Sequence, residues 1–117
     1  MKQSIENALH DLNALVLNGK TMEAFEKYYS EDVVMQENSE PPTIGKDANR
    51  KREIEFHDNV EFRSASVEGL AVNGNISFVI WNYDYTHKEW GEKKYTQVSV
   101  QHWKDGLIVK EQFFYGS

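Results

Sequence analysis

Two stretches of this sequence combine residue types and spacings that can do chemistry. The first is Val33-Val34-Met35-Gln36-Glu37-Asn38, an apolar run that closes on a carboxylate. Side chains alternate along an extended chain, so Val33, Met35 and Glu37 share one face. Glu37 is then either a strand end turned to water or an acid aimed into an apolar hollow. In the second case desolvation raises its pKa toward neutrality, as a proton-abstracting base requires. The second stretch runs from Tyr95 to Trp103 and places Tyr95, Gln97, Ser99, Gln101 and Trp103 on one face. That face is either the exposed polar side of a sheet or a set of hydrogen-bonding groups in an apolar wall. Burying an amide without a partner costs ~1–3 kcal/mol, so buried glutamines here would need protein, water or ligand to satisfy them.

Neighbouring segments extend both faces. Trp81, Tyr83, Tyr85 and His87 alternate in the same way and supply aromatic walls. Glu111 either lines a cavity with Phe113 and Tyr115 or is a paired surface charge. His102 faces away from Gln101, and Tyr28 and Tyr29 read as packing residues of a helix. Trp90, beside Gly91, reads as a loop tryptophan at a cavity mouth.

Other chemistries lack their residues. No HExxH, P-loop, GxGxxG or GxSxG pattern occurs. The four histidines, His10, His57, His87 and His102, stand at no metal-ligand spacing, and there is no cysteine. Neither a metal nor a cofactor is expected. The net charge of −6 has the wrong sign for a general nucleic-acid surface. No apolar run approaches the ~20 residues of a membrane span, and MKQSIENALHDL lacks the apolar core of a signal peptide, so the expected location is cytoplasmic.

The elements that must position these side chains fit one domain, residues 1–117, with 39% hydrophobic and 13% aromatic residues to build a core and line a cavity. Ile5, Ala8, Leu9, Leu12, Leu15 and Val16 recur at helical spacing after Ser4, a plausible N-cap, and Asn18-Gly19 stops the helix. Thr21 is expected to cap a second helix that Ser30-Glu31-Asp32 breaks, followed by a short strand over 33–38. Residues 46–57, KDANRKREIEFH, predict a third helix, whose Lys46, Arg50, Lys51 and Arg52 form either a solvated face or a docking site for an anion. Segments 60–72, 75–88, 93–104 and 107–115 are rich in strand formers and separated by Asn73-Gly74, Trp90-Gly91-Glu92 and Asp105-Gly106, which predicts an antiparallel meander of three hairpins. Helices first and strands afterwards define an α+β fold: three helices packed on one face of a strongly curved antiparallel sheet, a cone-shaped barrel with an internal pocket.

The stretches "YYSEDVVMQEN", "TIGKDANR" and "HWKDGLIVKEQFFY", in this order and spacing, resemble the SnoaL-like branch of the nuclear transport factor two superfamily over nearly the whole chain. The resemblance implies a cone-shaped α+β barrel with a pocket inside and a homodimer formed through the outer sheet face. It also implies positions for function. The general base of ketosteroid isomerase falls on Glu37, and its protonated-acid oxyanion donor falls on Gln101, whose amide N–H can still donate. The isomerase's first-helix tyrosine falls near Leu12 and is missing. The acid of the polyketide cyclases has Asp84 and Glu111 as local candidates. Epoxide hydrolysis is disfavoured, because its late-strand arginine has no counterpart. The expected site is therefore Glu37 and Gln101 as catalytic groups, with Trp81, Tyr83, Gln97, Trp103, Glu111 and Phe113 around a small hydrophobic molecule. The expected activity is a proton-abstracting isomerase or cyclase reaction on a hydrophobic carbonyl compound. The alternatives are a binding module without chemistry and a homodimeric interaction domain.

Overall fold

The computed structural model describes residues 4–116; the ends of the expected 1–117 domain, residues 1–3 and 117, lie outside the described residues. Helix α1, Ile5–Leu17, starts where Ser4 Oγ accepts the backbone N–H of Asn7 at 3.1 Å. It ends in a Schellman motif: Lys20 N–H reaches the Leu15 carbonyl at 2.8 Å and Gly19 N–H the Val16 carbonyl at 3.1 Å. Gly19 sits at φ 76°, a conformation that side-chain-bearing residues adopt at a cost.

Helix α2, Thr21–Tyr28, begins directly after this motif. Lys20 rather than Thr21 occupies its N-cap position, with no side-chain cap, because the motif carries the chain straight into the first turn. Strand β1, Tyr29–Glu37, then starts without a break. The polar Ser30-Glu31-Asp32 is inside the strand, where an irregularity between Tyr29 and Val34 takes it out of the ladder. A two-residue strand β2, Thr43–Ile44, pairs antiparallel with β1 and leads into α3, Lys46–Asp58.

The meander follows: β3 Val60–Asn73, β4 Ile76–His87, β5 Gly91–Lys104 and β6 Leu107–Tyr115. Asp105 and Gly106 stand at φ 53° and 82°, the positive pair that a tight hairpin turn requires. The sheet order is β2-β1-β6-β5-β4-β3. The meander is antiparallel as expected, but β1 lies parallel to β6, so the sheet is mixed, and it stays unclosed. A parallel pairing is available because the chain crosses from β1 to β6 through α3 and the whole meander.

Two bulges in β3 help to curve the sheet. Phe62 and Ser64 oppose Tyr85 and Asp84, and Val67 and Gly69 oppose Trp81 and Ile80, which leaves Arg63 and Glu68 as extra residues of β3. Extra residues on one strand bend and twist the ribbon. The concave side takes the core, with Leu9 and Leu12 of α1, Ala24 and Phe25 of α2, Val33, Val79 and Ile108 all buried. No described helix is long and apolar enough to cross a membrane.

The basic cluster of α3 clamps the helix down. Arg50 holds the Glu26 carboxylate with two bonds of 2.6 and 2.9 Å, and Lys46 reaches the Glu26 carbonyl at 3.0 Å. Arg52 bonds Thr43 and Glu37. Asn49, buried beneath them, donates to the carbonyls of Thr43 and Gly45 at 3.0 and 2.8 Å, with Val33 O at 3.3 Å.

Candidate functional site

The ladder registers put the inward residues in rows from the floor of the cone to its mouth. Ser77, Gln101, Glu111 and Met35 are direct neighbours across β4, β5, β6 and β1. The next row is Val79, Ser99, Phe113 and Glu37, and above it stand Trp81, Gln97 and Tyr115. Toward the mouth follow Tyr83 opposite Tyr95 and Tyr85 opposite Lys93. The cavity opens at the mouth, has a volume of about 1230 Å³ and is lined by residues from all three helices and from the sheet.

The floor is a polar chain whose direction follows from one donor. An indole nitrogen can only donate, and Trp103 Nε1 donates to Ser77 Oγ at 2.9 Å. The Ser77 hydroxyl proton therefore goes to Gln101 Oε1, at 2.6 Å. With its oxygen taken, Gln101 turns its amide nitrogen to Glu111 Oε2, at 2.8 Å. Tyr29 donates its hydroxyl to Oε1 of the same carboxyl. Both oxygens of the Glu111 carboxyl therefore accept a hydrogen bond, Oε1 from Tyr29 and Oε2 from Gln101.

Glu111 is 3% exposed. Burial lifts its pKa to about 7, although the bonds from Tyr29 and Gln101 pull it down, and the charge of Glu53 adds to the rise. Tyr29 is pushed well above the usual tyrosine range by burial and then by the charge of Glu111, so it remains a hydroxyl donor. Burial likewise raises Tyr83.

The structure corrects the expected placement of Glu37. Its side chain is 47% exposed at the rim and pairs with Arg52 at 3.3 Å, outside any dry hollow. The parity of Val33, Met35 and Glu37 holds, since the first two are buried on the inner face. Glu37, however, is the last residue of β1, where Asn38 turns the chain at φ 49° and the cover ends. Gln101 faces inward, but its amide is engaged on both sides by Ser77 and Glu111 rather than held open.

The other expected residues gather on the inner face. Trp81, Gln97 and Trp103 are buried, and Tyr83 and Phe113 are partly so. Trp81 and Tyr83 stack with centroids 5.6 Å apart, and Gln97 donates to Ser99 Oγ at 3.2 Å. Of the two candidate cyclase acids, Asp84 faces outward to Arg63 and Glu111 faces inward. Tyr29 belongs to the site, since it tethers Glu111 as well as stacking on Phe25 at 4.9 Å. The mouth carries Trp90, 55% exposed and stacked on His87 at 3.7 Å. His87 Nδ1 accepts the backbone N–H groups of Glu89 and Trp90, which orients that loop.

Tyr29, Ser77, Glu53 and His57 are site residues that sequence reasoning left out. For the last two the signal was present: Asn49, Glu53 and His57 repeat at i, i+4, i+8 and so share one face of α3. Among the described residues no three acids or histidines are placed to share a metal ion.

Three helices on a curved, unclosed six-stranded mixed sheet make an α+β architecture of the NTF2-like kind. The chain belongs to the SnoaL-like domain family, whose model matches residues 3–115. It is 30% identical to a Mesorhizobium loti protein of solved structure, with a TM-score of 0.89 over 97% of this chain and 100% of that one. That protein's provisional name couples "SnoaL-like polyketide cyclase" with "carbohydrate phosphatase", two unrelated chemistries. A Pseudomonas putida protein, provisionally named a polyketide cyclase, shares the fold at 17% identity and a TM-score of 0.81, covering 94% of this chain and 90% of that one. A Cytophaga hutchinsonii NTF2-like protein of unknown function does so at 16% identity and a TM-score of 0.72, covering 99% and 95%. Among curated proteins none matches the chain.

Proposed function

We propose that this chain binds a hydrophobic carbonyl compound in the cone and moves a proton on it, as an isomerase or cyclase, with Glu111 as the acid–base group. The observation that carries this reading is a buried carboxyl at the cavity floor whose pKa lies near 7. Such a group holds and releases a proton at working pH, the property general acid–base catalysis asks for. Gln101 and Tyr29 position it, and Trp81, Tyr83 and Phe113 give the ligand flat apolar walls. Glu37, at the rim with Arg52, takes no part in the proton transfer.

The test is exchange of the α-protons of 2-tetralone with D2O, followed by NMR. Catalysed exchange that falls by roughly a hundredfold or more in Glu111→Gln and survives in Glu37→Gln supports the reading. No catalysed exchange of 2-tetralone by the wild type, or full exchange by Glu111→Gln, refutes it.

The engaged state of the Gln101 amide favours a second reading, a binding module, because that amide is not free to hold an oxyanion. In that case 2-naphthol, a flat enol mimic, raises the melting temperature while 2-tetralone returns unexchanged. The partner surface of either reading is the outer face of the sheet, where Phe78, Ile80, Val98, Val100 and Phe114 make an apolar patch suited to a second copy of the chain.

A further inference from the structure

The wall opposite the sheet carries a second pair of proton-handling groups. Glu53 and His57 lie one turn apart on α3 and both line the cavity. Glu53 Oε2 stands 3.6 Å from His57 Nε2, and each side chain keeps about a quarter of its surface exposed, 27% and 26%. They are thus reachable from inside the cone, unlike an ion pair sealed in a core. Asn49, one turn deeper, fixes the helix to the carbonyls around β1 and β2 and so sets which face of α3 looks inward. Toward the mouth the His57 ring meets Phe62 at 5.9 Å and Phe56 at 5.5 Å, an apolar collar beside the entrance.

We infer that Glu53 is the base that works opposite Glu111 on a carbonyl compound with an acidic neighbouring C–H, and that His57 positions it and passes its proton to the mouth. This rests on the reading of Glu111 given above. A single buried carboxyl can give a proton to a carbonyl oxygen, but another group must take the one leaving carbon. The two acids have environments that divide these roles. Glu111 is enclosed and bonded by Tyr29 and Gln101, whereas Glu53 keeps about a quarter of its side chain exposed beside an imidazole. The charge of Glu53 is also felt by Glu111, Tyr29 and Tyr83, which places it over the same space.

The step balances. The Glu53 carboxylate takes the α-proton, the C–H bonding pair becomes the C=C bond of the enol, and the carbonyl π pair moves to oxygen, which takes the proton of Glu111. Return of a proton from Glu53 to a carbon and of the O–H proton to Glu111 restores both acids. The net change is a shifted double bond or, in D2O, an exchanged hydrogen. Arg52, on the same helix, and Glu37 are occupied with each other at the rim.

The experiment compares Glu53→Gln, His57→Asn, the double variant and Glu111→Gln, all full length, on 2-tetralone exchange in D2O and on binding of 2-naphthol. Glu53→Gln should lower kcat for exchange by roughly a hundredfold, and 2-naphthol affinity should stay within about threefold. His57→Asn should cost less, and the double variant should be no slower than Glu53→Gln alone, because the two act as a unit. Exchange unchanged in Glu53→Gln while Glu111→Gln abolishes it overturns this inference and leaves the role of Glu111 standing. Exchange and 2-naphthol binding lost in parallel in Glu53→Gln also overturns it, since that marks a structural role. Exchange absent from the wild type refutes the reading of Glu111 itself.

Discussion

Glu111 ties the stability of the protein to pH in a direction opposite to that of most carboxylates. In the unfolded chain it ionises near the ordinary glutamate value of 4.5, and in the fold at about 7. Between these values the native state holds a proton that the unfolded state has lost, so stability is fully present below pH 4.5 and falls as pH rises toward 7. The difference corresponds to about 3 kcal/mol. Urea titrations of Glu111→Gln should lack this decline and show a variant more stable than wild type at pH 8. Ser77 tests the directed chain behind the acid. Ser77→Ala leaves the Trp103 N–H and Gln101 Oε1 without their partner and should cost roughly 1–3 kcal/mol in urea unfolding, against a few tenths for the exposed Ser66→Ala. Asn13 makes the opposite case. Both its amide atoms are buried in α1 without a hydrogen-bond partner among the described residues. Asn13→Leu should raise the melting temperature, in line with about 1–2 kcal/mol of relieved desolvation.

At the scale of elements, the helix that carries Glu53 and His57 owes its place to polar anchoring. Helix α3 buries only Lys46 and Asn49, with Ile54 left exposed. Its position is set by the Glu26 ion pairs and by Asn49 rather than by an apolar stripe. Exposed ion pairs contribute little, so the buried amide matters most. Asn49→Ala should lower stability by roughly 1–3 kcal/mol and speed hydrogen exchange in 46–58 ahead of the meander, as measured by mass spectrometry. The strands behave differently. Ladder bonds and alternating side chains hold β4 to β6 together, with one register shift between His102 and Trp103, and the bulges at Arg63 and Glu68 bend β3 without turning its inner face outward.

At the scale of the whole molecule, the sheet has a concave side that faces the helices and the cavity, and a convex side with a partly exposed apolar patch. A second copy would bury Phe78, Val98, Val100 and Phe114 in one contact. Light scattering should give a dimer for the wild type, and Phe114→Lys, on the outer face of β6, should shift it toward monomer with an unchanged far-ultraviolet spectrum. A wild type that stays monomeric at 100 µM, a concentration about a hundredfold above a ~1 µM dissociation constant, removes this proposal.

Local physics made most of the fold legible. Helical spacing in α1, glycine at Gly19 and Gly106, and alternation in Trp81-Tyr83-Tyr85 each depend on a few neighbouring residues, and those elements stand where the sequence puts them. The two-residue β2 and the polar start of β1 were not legible, because pairing with distant strands, not local propensity, makes them strands. The site divides in the same way. Alternation alone places Gln97, Ser99 and Gln101 on the face of Trp103, and Met35 on the face of Glu37. Which acid is buried depends on where the cover ends, and that is decided by helices far away in the chain. Glu37 and Glu111 are equivalent in local pattern. One lies at the last rung of its strand and meets Arg52 and water, and the other lies mid-strand beneath Tyr29 and Gln101. The sequence by itself determined which residues share a face; only the tertiary structure decided which of those faces is dry, because burial is a property of everything packed around a side chain and not of its neighbours along the chain.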